Sequence, residues 1–290
     1  MDTLAFSLIL ISGVMHALWN LLVKQSRRKT VFIWWMFVSS AVLFTLLLPL
    51  LPGPFPVPDR TVLLLGAGGA TCFVLYHLFN GRAYRSGDLS LTYPLSQTAI
   101  IYVPLWGILL LGEKLSLFGI CGILLVLAGA FSLQLQRISL GELLRPFRNL
   151  GNPSVQAALA AGFIYSVGAV FDKSGVKQYS PLYFTYLLVI CMLLLMTVNL
   201  TRLRYRSQIR AEWRESRGLI LASGPVMMGS FLSFRYGLAL APMSYAVPVR
   251  QVSVLVGVLI GVIFLGEACG RIRLFSALLI LAGVFIIRLG

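Results

Sequence analysis

The stretch TYPLSQTAIIYVPLWGILLLGEK at 92–114 is echoed 154 residues later by AVPVRQVSVLVGVLIGVIFLGEA at 246–268. Extended without a gap to 84–131 and 238–285, the two share 14 identities in 48 positions. Pro94 falls on Pro248, Gln97 on Gln251, Gly107 on Gly261, Leu111-Gly112-Glu113 on Leu265-Gly266-Glu267, and Ala128-Gly129 on Ala282-Gly283. Shared hydrophobic bias explains some of these matches, but not a proline, a glutamine and a glutamate all in register. Self-similarity at a long fixed offset marks a duplicated architecture. A weaker match sets Gly13 and Lys24 on Gly162 and Lys173.

Each echoed stretch is one of ten apolar runs, near 4–23, 31–51, 61–81, 89–111, 115–135, 154–174, 181–201, 218–240, 243–265 and 272–289. A helix needs about 20 apolar residues to cross the hydrocarbon of a bilayer. The runs are continuous in Leu, Val and Ala, unlike the short alternating strands of a membrane barrel. LPGPFPVPDR at 51–60, LGEK at 111–114 and LAPM at 240–243 break them. The expected fold is an all-α membrane protein of ten transmembrane helices. Residues 1–135 form the first five-helix repeat, 136–153 the linker and 154–290 the second repeat. Five is odd, so the second repeat is expected to enter the bilayer upside down, as in many secondary transporters.

Composition agrees. Apolar residues make up 58% of the chain and charged ones 11%, under half the charged share of a soluble domain. The net charge of +15 would point a soluble protein towards nucleic acid. Here the basic residues sit in short clusters between apolar runs, so no nucleic acid partner is expected and the lipid bilayer is. The N-terminal segment lacks a basic region and a cleavage site, and reads as a first span. With the N-terminus outside, cytoplasmic loops hold 17 Lys and Arg and outer loops five, Arg60, Lys114, Lys173, Lys177 and Arg288. The positive-inside rule then places both termini outside, in a bacterial inner membrane. Cys72, Cys121, Cys191 and Cys269 are scattered and read as small hydrophobes. No metal cluster, phosphate-binding loop or nucleophile–base pair stands out, so neither a cofactor nor an enzyme is expected.

As a set, these motifs resemble the ten-helix EamA-type branch of the drug/metabolite transporter superfamily. The resemblance rests on the early proline, the Leu-Gly-Glu and the Ala-Gly of each repeat, with Trp19, Asn20 and Lys24 of the first helix. It covers nearly the whole chain and implies a transporter, or permease, of small metabolites. It also implies cytoplasmic termini, against the charge count, which we follow.

Candidate site residues come from polarity inside the spans. Arg250 lies about eight residues into the ninth run and Arg235 inside the eighth. A charge at such depth costs at least about 2.5 kcal/mol on insertion scales. The acids Asp88, Glu113, Asp172 and Glu267 all fall near ends of runs, so both arginines lack an evident counter-ion. A carboxylate or phosphate on a substrate would suit them; capping of backbone carbonyls or snorkelling is the plainer role. Pro94 and Pro248 are candidate helix breaks lining a cavity, with Gln97 and Gln251 close by. Ser12, His16, Asn20 and Lys24, spaced by four, share one face of the first helix beside Trp19. His16 is a candidate proton group, against a role as interhelical hydrogen-bonding glue. Tyr76 and Asn80 share a face of the third helix, and Tyr93, Tyr165 and Phe231 are candidate aromatic walls. Glu113 and Glu267 read as turn and interface residues. Gly257 and Gly261 allow close helix contact, within the bundle or in a homodimer.

The expected function is a secondary transporter of a small polar metabolite, anionic or zwitterionic, working by alternating access. An exporter of hydrophobic cations and drugs would need a membrane-embedded carboxylate, which the runs do not offer. An intramembrane enzyme would need His and acids together, and an assembly subunit would not need deep arginines.

Overall fold

The computed structural model describes residues 1–51, 55–86, 92, 95–133, 135, 141, 148, 150–200, 203–265 and 270–290, with backbone only for 84–86, 203, 204, 206 and 261–265. Among these the regular elements are helices: α1 Thr3–Gln25, α2 Lys29–Leu47, α3 Arg60–Ser86, α4 Ala99–Leu111, α5 Leu117–Ser132, α6 Pro153–Gln178, α7 Pro181–Leu200, α8 Leu203–Leu240, α9 Met243–Val249, α10 Val252–Leu265 and α11 Arg271–Leu289. They match the ten expected runs, the ninth being split into α9 and α10. Eight helices among the described residues are long and apolar enough to cross a membrane, α9 and α10 counting together; α4 and α5 are apolar but shorter. Pro94, Tyr93 and Glu267 lie outside the described residues, as does most of 136–153.

The helix ends have local causes. The Asp2 carboxylate accepts from the N–H groups of Leu4 and Ala5 at 3.0 and 3.3 Å. Ser116 caps α5 through Gly119 N–H, and Asn152 caps α6 with Pro153 in the first turn; side-chain oxygens there satisfy orphan donors. Gly112 ends α4 at φ +64°, a left-handed conformation that glycine adopts without cost. The turn lets Glu113 N–H reach the Gly107 carbonyl at 2.9 Å and aims the Glu113 carboxylate across the bundle. That is the local physics of the Leu-Gly-Glu motif.

The helices pack in a crossed pattern: α1 against α8 and α10, α3 against α6 and α7, α2 against α7 and α8, α4 against α6, and α5 against α11. A Cβ added at Gly122 would meet Gly283 O at 2.7 Å, and one at Gly129 would meet Ser276 O at 2.7 Å. Residue numbers rise along α5 as they fall along α11, so this pair is antiparallel. The Met1 amino group donates to the Arg288 carbonyl at 3.4 Å, so both termini share one end of the bundle. Serines are buried at helix contacts, as where Ser12 Oγ donates to Ser230 O at 2.8 Å and Ser132 meets Ser276 at 2.9 Å. Leu46, Leu109, Val198 and Leu289 stand exposed. Buried hydroxyls with exposed aliphatics suit a bundle whose solvent is lipid.

One boundary differs from expectation. Residues 202–217 read as a polar loop, yet 203–240 is helical with non-helical angles only at Ser216. The first turns are amphipathic and anchored. Arg28 pairs with Glu212 at 3.2 Å and Glu215 at 3.1 Å, and Trp35 Nε1 donates to Ile209 O. Tertiary partners hold as a helix a segment too polar to be read as a span.

Candidate functional site

The site is built on interrupted helices. Pro248 has no N–H to give, and two residues later the chain changes hydrogen-bond register: Ser253 N–H donates to Arg250 O and Val254 N–H to Gln251 O. These i→i+3 bonds separate α9 from α10. The same pattern precedes α4, where Ile100 N–H donates to Gln97 O, at the position equivalent to Val254. Small residues let other helices approach both breaks. A Cβ at Gly13 would strike Val252 and stand 3.3 Å from Arg250 O and Ser253 N; one at Gly162 would strike Thr98 and stand 3.1 Å from Ser96 O and 3.3 Å from Ala99 N. Gln251 Nε2 donates to Gln97 Oε1 at 3.0 Å, so the breaks touch through equivalent side chains.

Arg250 points from its break into the bundle. Its Nη2 lies 3.2 Å from Ser230 Oγ and 3.3 Å from His16 Nδ1. The guanidinium carbon sits 4.3 Å from the Phe234 ring centroid, with Tyr165 beside it. Its Nε is buried without a hydrogen-bond partner. Among the described residues no carboxylate pairs with it.

Arg235 differs, and here the sequence reading needs correcting. Asp172, placed at the end of a run, is 2% exposed inside a longer α6, and its Oδ1 accepts from Arg235 Nε at 2.8 Å. Arg235 therefore has a counter-ion, and it also lies 5.0 Å from the Phe231 ring centroid. Helix extension to Gln178 buries the carboxylate. Lys173, counted among the outer loop charges, is likewise buried in α6 and donates to Leu238 O and Ala241 O at 2.6 and 2.8 Å, capping the end of α8.

The polar face of the first helix divides. Ser12 and His16 turn inward, and Trp19 Nε1 donates to His16 Nδ1 at 2.8 Å, while Asn20 is exposed. Aromatic rings continue the cluster from Trp19 to His77 at 6.5 Å, His77 to Tyr76 at 5.1 Å and Tyr76 to Tyr165 at 5.1 Å. Asn80 is buried one turn further along α3, its Oδ1 without a partner. Arg250, Arg235, His16, Trp19, Tyr76 and Phe231 are thus drawn into one region, joined by Asp172, Ser230, Phe234 and His77, which sequence reasoning missed. Ser230 and Phe234 stand four residues apart in the run that carries Arg235, the one signal that could have found them. Two recesses of about 190 and 260 Å³ lie elsewhere, near Leu48 and Leu51, and no charged side chain lines them.

Glu113 takes a supporting role, as expected. Its carboxylate accepts from Met243 N–H at 2.7 Å and Ser244 N–H at 3.0 Å. A carboxylate on a helix N-terminus is favourable, and it pins the short helix that carries Arg250.

The model of the EamA-like transporter family matches residues 3–134 and 152–289. This chain belongs to the EamA-like transporter family. Like the expected halves, the two matched blocks flank the middle of the chain. A Sinorhizobium protein described as an uncharacterized transporter in the cobO 3' region is 36% identical over 80 residues, which are 28% of this EamA-like chain and 56% of that relative. A solved crystal structure superposes with a TM-score of 0.73 over 99% of this chain and 97% of the other at 19% identity, a likeness of fold alone. Family and helices together make it an integral membrane protein.

Proposed function

We propose that this protein is a secondary transporter that moves a small anionic or zwitterionic metabolite across a bacterial inner membrane by alternating access. In this reading residues 1–135 and 154–290 are inverted repeats joined by 136–153, and the substrate binds between them. Support for inversion comes from the antiparallel α5–α11 contact, the matched approaches of Gly13 and Gly162 to the two breaks, and the Gln97–Gln251 bond. A two-fold axis lying in the membrane plane accounts for all three. The basic loops orient the molecule with both termini outside.

The observation that carries the substrate class is Arg250: a guanidinium deep in the bundle, with an unpartnered Nε and, among the described residues, no carboxylate paired with it. Leaving such a group unsatisfied is costly, and an anion would complete it. Arg250, rather than the already paired Arg235, takes the anionic end. Trp19, Tyr76 and Tyr165 supply walls, and Asn80, Gln97 and Gln251 offer polar contacts. The rival exporter of hydrophobic cations gains a buried carboxylate in Asp172, but Arg235 already neutralises it. At Gly257 nothing lies within 4 Å of an added Cβ, which leaves a face for a homodimer.

The test is counterflow in proteoliposomes carrying wild type or Arg250→Ala, offered labelled amino acids, organic acids and phosphorylated metabolites. Exchange of an anion or zwitterion by wild type and its loss in the variant is the expected result. Equal exchange by both proteins refutes the role of Arg250; exchange of cations alone favours the exporter.

A further inference from the structure

His16 Nδ1 is the meeting point of two groups that can only donate. Trp19 Nε1 lies 2.8 Å from it and Arg250 Nη2 3.3 Å. Neither an indole N–H nor a guanidinium has a lone pair to offer. Nδ1 must present its lone pair to both, and the proton of the neutral ring is assigned to Nε2. A second proton reaching His16 therefore has one place to bond, the lone pair that Arg250 already occupies.

The neighbours offer no relief. From α3 comes His77, a second imidazole, whose ring lies 6.5 Å from the Trp19 ring that also packs on His16. From α6 come Tyr165, beside Arg250, and Asp172, whose carboxylate is held at 2.8 Å by Arg235 of α8. An imidazolium at His16 would stand 3.3 Å from a guanidinium that no carboxylate pairs with among the described residues. Protonated His16 and an anion-free Arg250 exclude each other.

We infer that His16 is the proton site of the carrier, and that it fills only when an anion occupies Arg250. The inference rests on the proposed binding of an anion there. An anionic oxygen accepts from Nη2 and from the unpartnered Nε, and the guanidinium turns away from Nδ1. A proton from water then forms the Nδ1–H bond, no other covalent bond of the protein changes, and Trp19 gives up the same acceptor. One negative charge and one proton are bound together, so a monoanion crosses with no net charge. On release the proton returns to water and Arg250 to Nδ1.

The test uses the purified full chain in weakly buffered detergent with a pH-indicating dye. The probes are lactate, malate, 3-phosphoglycerate and the twenty amino acids, with Kd measured by calorimetry at pH 6, 7 and 8. The expected result is uptake approaching one proton per bound anion and a Kd that falls by up to about tenfold per unit of falling pH, the limit for one linked proton. In His16→Asn an amide oxygen can replace Nδ1 as acceptor but takes no proton, so uptake vanishes and Kd becomes flat with pH. Binding without uptake, or uptake that survives in His16→Asn, overturns the inference while leaving an anion carrier in place. Failure of every probe to bind wild type removes the anion, and overturns the proposed function and this coupling together.

Discussion

Replacing Asp172 with asparagine keeps the shape of the side chain and removes its charge. Arg235 is 3% exposed, so its cation would remain buried with an amide oxygen, the Phe231 carbonyl and the Phe231 ring as neutral neighbours. At an effective dielectric constant of about 20, unit charges about 4 Å apart attract by about 4 kcal/mol. Removing one partner of a buried pair costs about 3–5 kcal/mol in proteins where it has been measured. Asp172→Asn should therefore destabilise the fold by about 3–4 kcal/mol, near the low end of that range because one acceptor is kept. Removing both charges, as in Asp172→Asn with Arg235→Met, leaves no uncompensated ion and should cost about 1 kcal/mol or less, since a buried pair gains little net stability over apolar replacement. Equilibrium unfolding in mixed micelles, followed by tryptophan fluorescence, would compare the three proteins. A single variant as stable as wild type, or a double variant worse than the single, would refute the reasoning and show that the pair is solvated.

Two further predictions concern packing. Gly129→Ala drives a methyl group against Ser276 O at 2.7 Å and Ile280 N at 2.9 Å, both backbone atoms that cannot step aside; it should destabilise by about 1–3 kcal/mol, whereas Gly257→Ala should fold like wild type, and micelle unfolding would separate them. Glu113→Leu strips the acceptor from Met243 N–H and Ser244 N–H and should cost about 2 kcal/mol while lowering exchange, because α9 no longer holds Arg250 in place; Glu113→Gln, which keeps one acceptor oxygen, should recover part of both.

Much of this molecule was legible in one dimension, because membrane spans announce themselves locally. Each run of about 20 apolar residues must satisfy its own backbone hydrogen bonds, so the apolar runs, eight of which give helices long enough to cross a membrane among the described residues, could be read without knowing their neighbours. The sequence echo was legible too, and its first Leu-Gly-Glu is a left-handed glycine turn that aims the Glu113 carboxylate at another helix. The amphipathic start of α8 was not legible, since its helicity depends on Arg28 and Trp35, more than 160 residues away in sequence.

The candidate site shows the same division. That Arg250 and Arg235 lie inside apolar runs follows from the sequence alone. Which of the two has a counter-ion does not, because Asp172 is 63 residues from Arg235 and meets it only where α6 crosses α8. Likewise a four-residue spacing placed His16 and Asn20 on one face of α1, yet packing turns His16 towards Arg250 and leaves Asn20 exposed. Sequence by itself determined the spans, the repeat and the presence of deep charge, all properties of a chain against its solvent. Only the tertiary structure decided which charges neutralise each other and which guanidinium keeps an unpartnered nitrogen, because pairing over a few ångströms between distant helices leaves no trace in spacing along the chain.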